Sequence, residues 1–322
     1  MAEVIEWRDG VVRATRDLTS AIRLIEIEPS GGFVAASPGS HINVSVMIRG
    51  RPDVRSYSVV GPCADGVYRI AVKLLASTRG GSAYMWSLRP GGRIGLSAPA
   101  NHFNLALGRP EYLLLAGGIG VTPIFTHALA LAEANARFRL LYACRSRDDL
   151  ALADELAERL GGRLELFLSE EGRRVDIAAE IARLDGQGEF YVCGPIGMLE
   201  AAKRCWRESG RPADRLRFET FGNSGAYPSG PFVIKIPRLG REIAVDANQS
   251  MLEALEDTNV GMIFDCRRGE CGLCALTILA VDGVVDHRDV FFSDAEKAQN
   301  LKLCTCVSRV YGKSITVDTA DR

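Results

Sequence analysis

Short apolar runs alternating with polar positions fill the first third of the chain: Ala21–Ile27, Ile42–Ile48, Ser56–Val60 and Val67–Val72. A repeat of two turns one face of each run toward a core and predicts strands. Gly31-Gly32, Gly61-Pro62 and Pro90-Gly91-Gly92 punctuate the runs. Many short strands with frequent turns predict a small antiparallel barrel or sandwich, with one short helix at Ser82–Leu88. From about residue 110 the rhythm changes. Continuous apolar segments at Tyr112–Ala116, Phe138–Tyr142, Leu164–Leu168, Phe190–Cys193 and Leu216–Phe218 alternate with helical patterns at Pro123–Ala134, Leu150–Leu160, Ile177–Leu184 and Pro195–Arg207. That alternation predicts a parallel sheet covered on both faces. Gly222–Pro231 is rich in Gly, Ser and Pro and reads as a linker.

A length of 322 residues allows two domains or three small ones. Hydrophobic residues make up 47% and charged residues 25%, the balance of an ordinary globular chain. The net charge of −1 gives no basic excess to neutralise phosphates, which excludes the usual nucleic-acid binder. No apolar run approaches the ~18 residues of a spanning helix. The opening MAEVIEWRDG has acids where a signal peptide is basic and then apolar. A cytoplasmic protein with no membrane contact is therefore expected.

Nine cysteines in such a protein point to metal or redox work rather than disulfides. Cys63, Cys144, Cys193 and Cys205 are scattered, whereas Cys266, Cys271, Cys274, Cys304 and Cys306 crowd into the last fifth of the chain. Cys266-x4-Cys271-x2-Cys274 followed by a distant cysteine is the plant-type [2Fe–2S] spacing. Gly269 and Gly272 let such a loop wrap tightly and aim amides at the sulfurs. A structural zinc site is the plain alternative, but Cys304-x-Cys306 is too tight for a second knuckle. In Cys304-Thr305-Cys306 both thiols lie on one face of a strand, so spacing leaves the fourth ligand open.

Two further signals sit where strands run into helices. Leu113–Ala116 leads into Gly117-Gly118-Ile119-Gly120-Val121-Thr122-Pro123, a glycine turn at a helix start that suits a pyrophosphate. Pro123 replaces the third glycine of the usual dinucleotide fingerprint, and no acid ends the next strand. Cys193-Gly194-Pro195 makes a second such turn, expected to face the same crevice. In the first domain, Arg55-Ser56-Tyr57-Ser58 joins a phosphate-binding group to a ring that can stack, though a surface pair is the commoner meaning. Thr78-Arg79-Gly80-Gly81-Ser82 opens the short helix and suits a phosphate monoester.

In this order, R-x-Y-S, G-G-x-G-x-T-P, C-G-P and C-x4-C-x2-C resemble the phthalate dioxygenase reductase family, which includes vanillate O-demethylase reductases. The resemblance spans about residues 10 to 320. It implies a multidomain protein: an antiparallel β-barrel flavin domain at 1–106, an α/β parallel-sheet nicotinamide domain at 107–223, a linker at 224–231 and an α+β β-grasp ferredoxin domain at 232–322. FMN would be held by Arg55, Tyr57, Ser58, Val72, Lys73, Arg79, Gly81 and Ser82. NADH would meet Gly118, Gly120, Thr122, Arg145, Cys193, Gly194, Pro195 and Phe221, with Ser58 and Cys193 nearest the chemistry. Arg145 and Arg147 suit either an adenosine ribose or a 2′-phosphate, and the resemblance favours NADH. Cys266, Cys271, Cys274 and Cys306 would hold the cluster, Cys306 because Cys306-Val307-Ser308-Arg309 matches the family's closing segment. The implied route runs from NADH to FMN to [2Fe–2S] and on to a Rieske-type terminal oxygenase acting on aromatic acids. A flavin must stand between a two-electron donor and a one-electron carrier. A monomer is expected. The alternatives are a self-contained quinone or ferric reductase and a non-enzymatic redox-regulatory subunit. His41, His102, His127 and His287 show no ligand spacing and read as structural. Arg267 and Arg268 could steer an acidic partner.

Overall fold

The structure is a computed structural model that describes all residues except 1–5, 49, 62, 64, 76–79, 222–224, 226, 266, 268, 270 and 320–322. Its first layer contains β1 (Trp7–Thr19), β2 (Ile22–Pro29), β3 (His41–Ile48), β4 (Arg51–Ser58), β5 (Tyr68–Lys73), α1 (Gly81–Ser87) and β6 (Arg93–Ser97). The strands form an antiparallel sheet in the order β4-β3-β6-β1-β2-β5. A bridge between Val59 and Ile70, and a 2.8 Å bond from Val60 N–H to Arg69 O, bring its two edges together as a barrel. Val12, Ile25, Ile27, Ile42, Val44, Ile70 and Val72 fill the interior, and Met85 of α1 plugs it. Burial of such aliphatic side chains contributes ~1.5–3 kcal/mol each. β1 and β6 lie outside the strands expected from the apolar pattern. Only Gly10 and Val12 of β1 are buried, so its alternation is masked by charged side chains.

β7 (Tyr112–Gly117), α2 (Val121–Glu133), β8 (Phe138–Cys144), α3 (Ala153–Leu160), β9 (Leu164–Leu168), α4 (Ile177–Arg183), β10 (Glu189–Cys193), α5 (Ile196–Glu208) and β11 (Leu216–Glu219) build the second layer. All strands are parallel, in the order β11-β10-β7-β8-β9. β7 and β10 are buried at every position, as a sheet covered on both faces requires. The strand order reverses between β7 and β10, which opens a crevice at their C-terminal ends. α3 starts at Ala153 rather than Leu150. The Tyr142 hydroxyl and the Cys144 thiol donate to the Asp149 carbonyl, and Tyr142 also donates to that of Ala151. Leu152 then turns left-handed, at φ +61°, before the helix begins.

Barrel and parallel sheet belong to one compact unit that ends at Glu219. Tyr112 donates its hydroxyl to Ala106 O at 2.9 Å, and Tyr191 accepts from Ala106 N–H at 2.9 Å. His127 Nε2 bonds Phe103 O at 2.9 Å, and Thr126 Oγ1 accepts from Gly39 N–H at 2.9 Å.

The second unit begins at Thr220. It contains β12 (Phe232–Ile236), β13 (Arg241–Val245), α6 (Met251–Asp257), β14 (Ala275–Asp286), α7 (Asp294–Gln299), β15 (Lys302–Cys304) and β16 (Arg309–Asp318). The sheet order is β13-β12-β16-β14-β15, with β12 and β16 parallel and the other pairs antiparallel. α6 starts at a capping box of Ser250 and Glu253 and lays Met251 and Leu255 on the sheet. This is the α+β grasp that carries the clustered cysteines.

Candidate functional site

In the barrel, β4 presents Arg55, Tyr57 and Ser58. Arg55 pairs with Asp53 at 2.8 Å and lies across the start of α1, where a Cβ added to Gly81 would stand 2.7 Å from Arg55 Nε. Arg55 Nη2 and Ser58 Oγ are both buried without a hydrogen-bond partner. A buried polar group left unmatched costs ~1–3 kcal/mol, so these two atoms mark where a ligand's own polar groups belong. Burial raises the Tyr57 hydroxyl to about 12, which keeps its ring neutral. A guanidinium donor over a glycine helix start suits a phosphate, and a neutral ring beside a free hydroxyl suits a flat heterocycle. The residues fit FMN. Ser82 is buried at the start of α1. Val72 is buried, and its carbonyl accepts from Trp86 Nε1 at 3.0 Å. Lys73 reaches Asp149 across the joint at 2.7 Å. Arg79 lies outside the described residues.

At the crevice between β7 and β10 the two glycine turns touch. A Cβ on Gly120 would fall 2.3 Å from Cys193 O and 2.9 Å from Gly194 N, and one on Gly117 would fall 2.6 Å from Pro195 Cδ. Gly118 differs: it has φ +53° and only open space where a side chain would go. Gly118 is therefore the position that leaves room for a ligand, while Gly117 and Gly120 let the turns pack. Thr122 is buried and donates to Ile119 O at 2.9 Å, so it fastens the turn. Cys193 is fully buried, and burial pushes its thiol well above the ordinary range. Glu219, its register neighbour on β11, adds to that shift. Arg145 is exposed, and its carbonyl accepts from Glu170 N–H at 3.0 Å. Arg147 Nη2 pairs with Glu171 at 3.0 Å, and its N–H donates to Glu170 Oε1 at 3.2 Å. Phe221 falls past Glu219, in the second unit.

In the second unit, Cys274 and Cys306 are buried and Cys271 is half-buried; Cys266 lies outside the described residues. Hydrogen bonds from Cys304 and Cys306 lower the Cys274 thiol, so these three sulfurs lie together. Cys304 ends β15 opposite Ala275. Its carbonyl accepts from Ser308 N–H at 3.0 Å, closing the turn that carries Cys306. Gly272 and Gly269 have no room for a side chain: a Cβ on the first would meet the Phe291 ring at 2.3 Å, and one on the second Val307 Cγ2 at 2.6 Å. Among the described residues no three Cys, His, Asp or Glu side chains converge on a single metal ion. The donor set is thiol on a tight loop plus a remote turn, which suits two irons rather than one. Arg267 is held by Glu256 at 2.7 Å and lies over the Phe264 ring at 4.2 Å.

Residues 234–311 match the 2Fe-2S iron-sulfur cluster binding domain, and residues 114–204 match the oxidoreductase NAD-binding domain. The chain is 35% identical to tetrachlorobenzoquinone reductase of Sphingobium chlorophenolicum, over 96% of this chain and 95% of that one. It is 32% identical to the carnitine monooxygenase reductase subunit of Acinetobacter baumannii, over 99% of this chain and 100% of that one. The solved structure of phthalate dioxygenase reductase superposes with a TM-score of 0.72 at 27% identity, covering 97% of this chain and 98% of the other. The chain belongs to the phthalate dioxygenase reductase family. This reductase also matches an intact type IV self-sufficient cytochrome P450 monooxygenase, with a TM-score of 0.67 and 30% identity, but spans only 41% of that longer chain. The three-part architecture expected from the sequence is the one observed. No helix among the described residues is long and apolar enough to cross a membrane.

Proposed function

We propose that the protein is the reductase component of an oxygenase system, taking electrons from NADH and passing them singly through FMN and [2Fe–2S] to the oxygenase. One observation carries this reading. A single chain joins a crevice for a dinucleotide, a barrel with unmatched buried donors at Arg55 and Ser58, and a grasp domain with the cysteine loop. Bound FMN would supply the exchange between two-electron and one-electron chemistry. Arg55, Gly81 and Ser82, with Arg79, would hold its phosphate; Tyr57 would offer a face to its ring system, and Ser58 Oγ would offer it a hydrogen bond. Gly118 leaves space for the nicotinamide nucleotide, and the Cys193 backbone carbonyl packs against the Gly120 turn. Glu171 pairs with Arg147 and so competes with a 2′-phosphate for that guanidinium, which supports NADH over NADPH. Cys266, Cys271, Cys274 and Cys306 bind the cluster.

The finer reading is a monomer, in a cytoplasmic setting, that serves a Rieske-type oxygenase for aromatic acids. The test is direct. Purified protein shows flavin and [2Fe–2S] absorption and reduces cytochrome c with NADH; a colourless, zinc-containing protein ends the proposal. Pull-down with Rieske-type and cytochrome P450 oxygenases under NADH turnover decides the partner. The similarity to tetrachlorobenzoquinone reductase favours a second reading, in which a quinone is the final acceptor. Quinone turnover indifferent to Cys271→Ser would support it.

A further inference from the structure

Asp289 is a charged side chain that the electron route does not use, and it is 1% exposed. It follows β14 and sits where both parts of the cysteine set are anchored. Ser308, two residues after Cys306, donates its hydroxyl to Asp289 Oδ1 at 3.1 Å and accepts from Arg288 N–H at 3.3 Å. On the other side, Gly269, two residues before Cys271, packs on the Asp289 backbone. Gly269 O accepts from Val290 N–H at 3.0 Å and Phe291 N–H at 3.1 Å. Asp289 Oδ2 accepts from Phe292 N–H at 3.0 Å, which fixes that strap. Lys297 Nζ donates to Asp289 O, and His287 Nδ1 stands 3.7 Å from Oδ1. Burial alone would raise this carboxyl. The neighbouring His287 ring, the bond from the Phe292 N–H, the Lys297 charge and the Ser308 hydroxyl outweigh burial and hold it below its ordinary value.

We propose that Asp289 is a positioning residue for the iron–sulfur cluster, registering the three-cysteine loop against the Cys306 turn and placing a fixed negative charge beside the cluster. The proposal rests on the cluster assignment above. A buried charge in a poorly screened interior acts on neighbouring charge, and hydrogen bonds and net charge around a cluster set its potential. Asp289→Asn separates charge from shape. Its amide can donate to Ser308 Oγ while its carbonyl still accepts from Phe292.

The experiment uses the full protein, with iron and sulfide content, the EPR spectrum of the reduced cluster and its reduction potential measured together. The wild type, loaded with [2Fe–2S], tests the assignment separately. In Asp289→Asn the cluster is retained, and its one-electron reduction equilibrium rises about tenfold, an upward shift of about 59 mV. A loaded variant with the wild-type potential overturns the proposal. Ser308→Ala cuts the tie from the Cys306 turn to Asp289, together with the bond from Arg288 N–H, and leaves the Asp289 charge in place; it decides the matter if Asp289→Asn fails to assemble. It loads its cluster but loses iron to a chelator at least fivefold faster than wild type. Loss at the wild-type rate overturns the proposal.

Discussion

Gly118 and Gly120 stand two residues apart in one turn, yet the structure assigns them different work. At Gly120, an added Cβ would meet Cys193 O at 2.3 Å, the Cys193 carbonyl carbon at 2.6 Å and Gly194 N at 2.9 Å. These are backbone atoms of a buried strand end, so no side chain can swing aside. Gly120→Ala must push the two turns apart, an overpacking cost of ~1–3 kcal/mol. For a unit of this size that lowers the Tm by about 2–12 °C. At Gly118 the side-chain direction is open and φ is +53°. Asparagine tolerates that conformation, so Gly118→Asn folds with little loss. Its side chain instead occupies the space for the nucleotide. Losing one hydrogen bond to a charged pyrophosphate, worth ~1.5–3 kcal/mol, raises the KM for NADH at least about tenfold. Thermal unfolding by circular dichroism and steady-state ferricyanide reduction measure both effects. A Gly120→Ala protein with the wild-type Tm, or a Gly118→Asn protein with the wild-type KM, would refute the assignment.

Arg55→Ala removes the guanidinium over Gly81 and should release FMN on gel filtration; unchanged flavin content would take Arg55 out of the site. Cys271→Ser should abolish cytochrome c reduction while stopped-flow flavin reduction by NADH persists, and loss of both would contradict separate modules. Burial pushes His127 down to about 4, below its unfolded value near ~6.5, so the unfolded chain takes the proton first. Its contribution is therefore complete above ~pH 6.5 and is lost as pH falls toward 4, by about 3 kcal/mol. His127→Gln keeps a donor for Phe103 O and should flatten the fall in Tm between pH 7 and 4.5; parallel curves would show that another group is responsible.

The parallel-sheet layer was legible because its strands are buried on both faces and so read as unbroken apolar runs. β1 was not, because Arg8, Asp9, Arg13, Arg16 and Asp17 interrupt its apolar alternation and make it look like a loop. The cysteine loop announced itself through spacing, and the flavin motif only through its likeness to a family. The partners of Glu219, Asp149 and Asp289 were invisible in the sequence. Each acts through a partner brought close by folding: Cys193 by strand register, Lys73 by the joint, and Ser308 across the grasp domain. The strand-to-helix turn at Gly117, Gly118 and Gly120 was legible in the sequence. What each one does depended on which of them faces a neighbouring backbone.

Between β6 and β7, the hydroxyls of Tyr112 and Tyr191 and the ring of His127 tie the connecting chain and barrel to the nucleotide sheet, and Lys73–Asp149 adds a clasp farther along. A calorimeter should see barrel and nucleotide sheet melt as a single block. Severing the chain there would strand buried phenols without acceptors. Recombination that swaps electron-exit modules among such enzymes would thus find its tolerant breakpoint after Glu219, and would inherit the hydride-handling half intact.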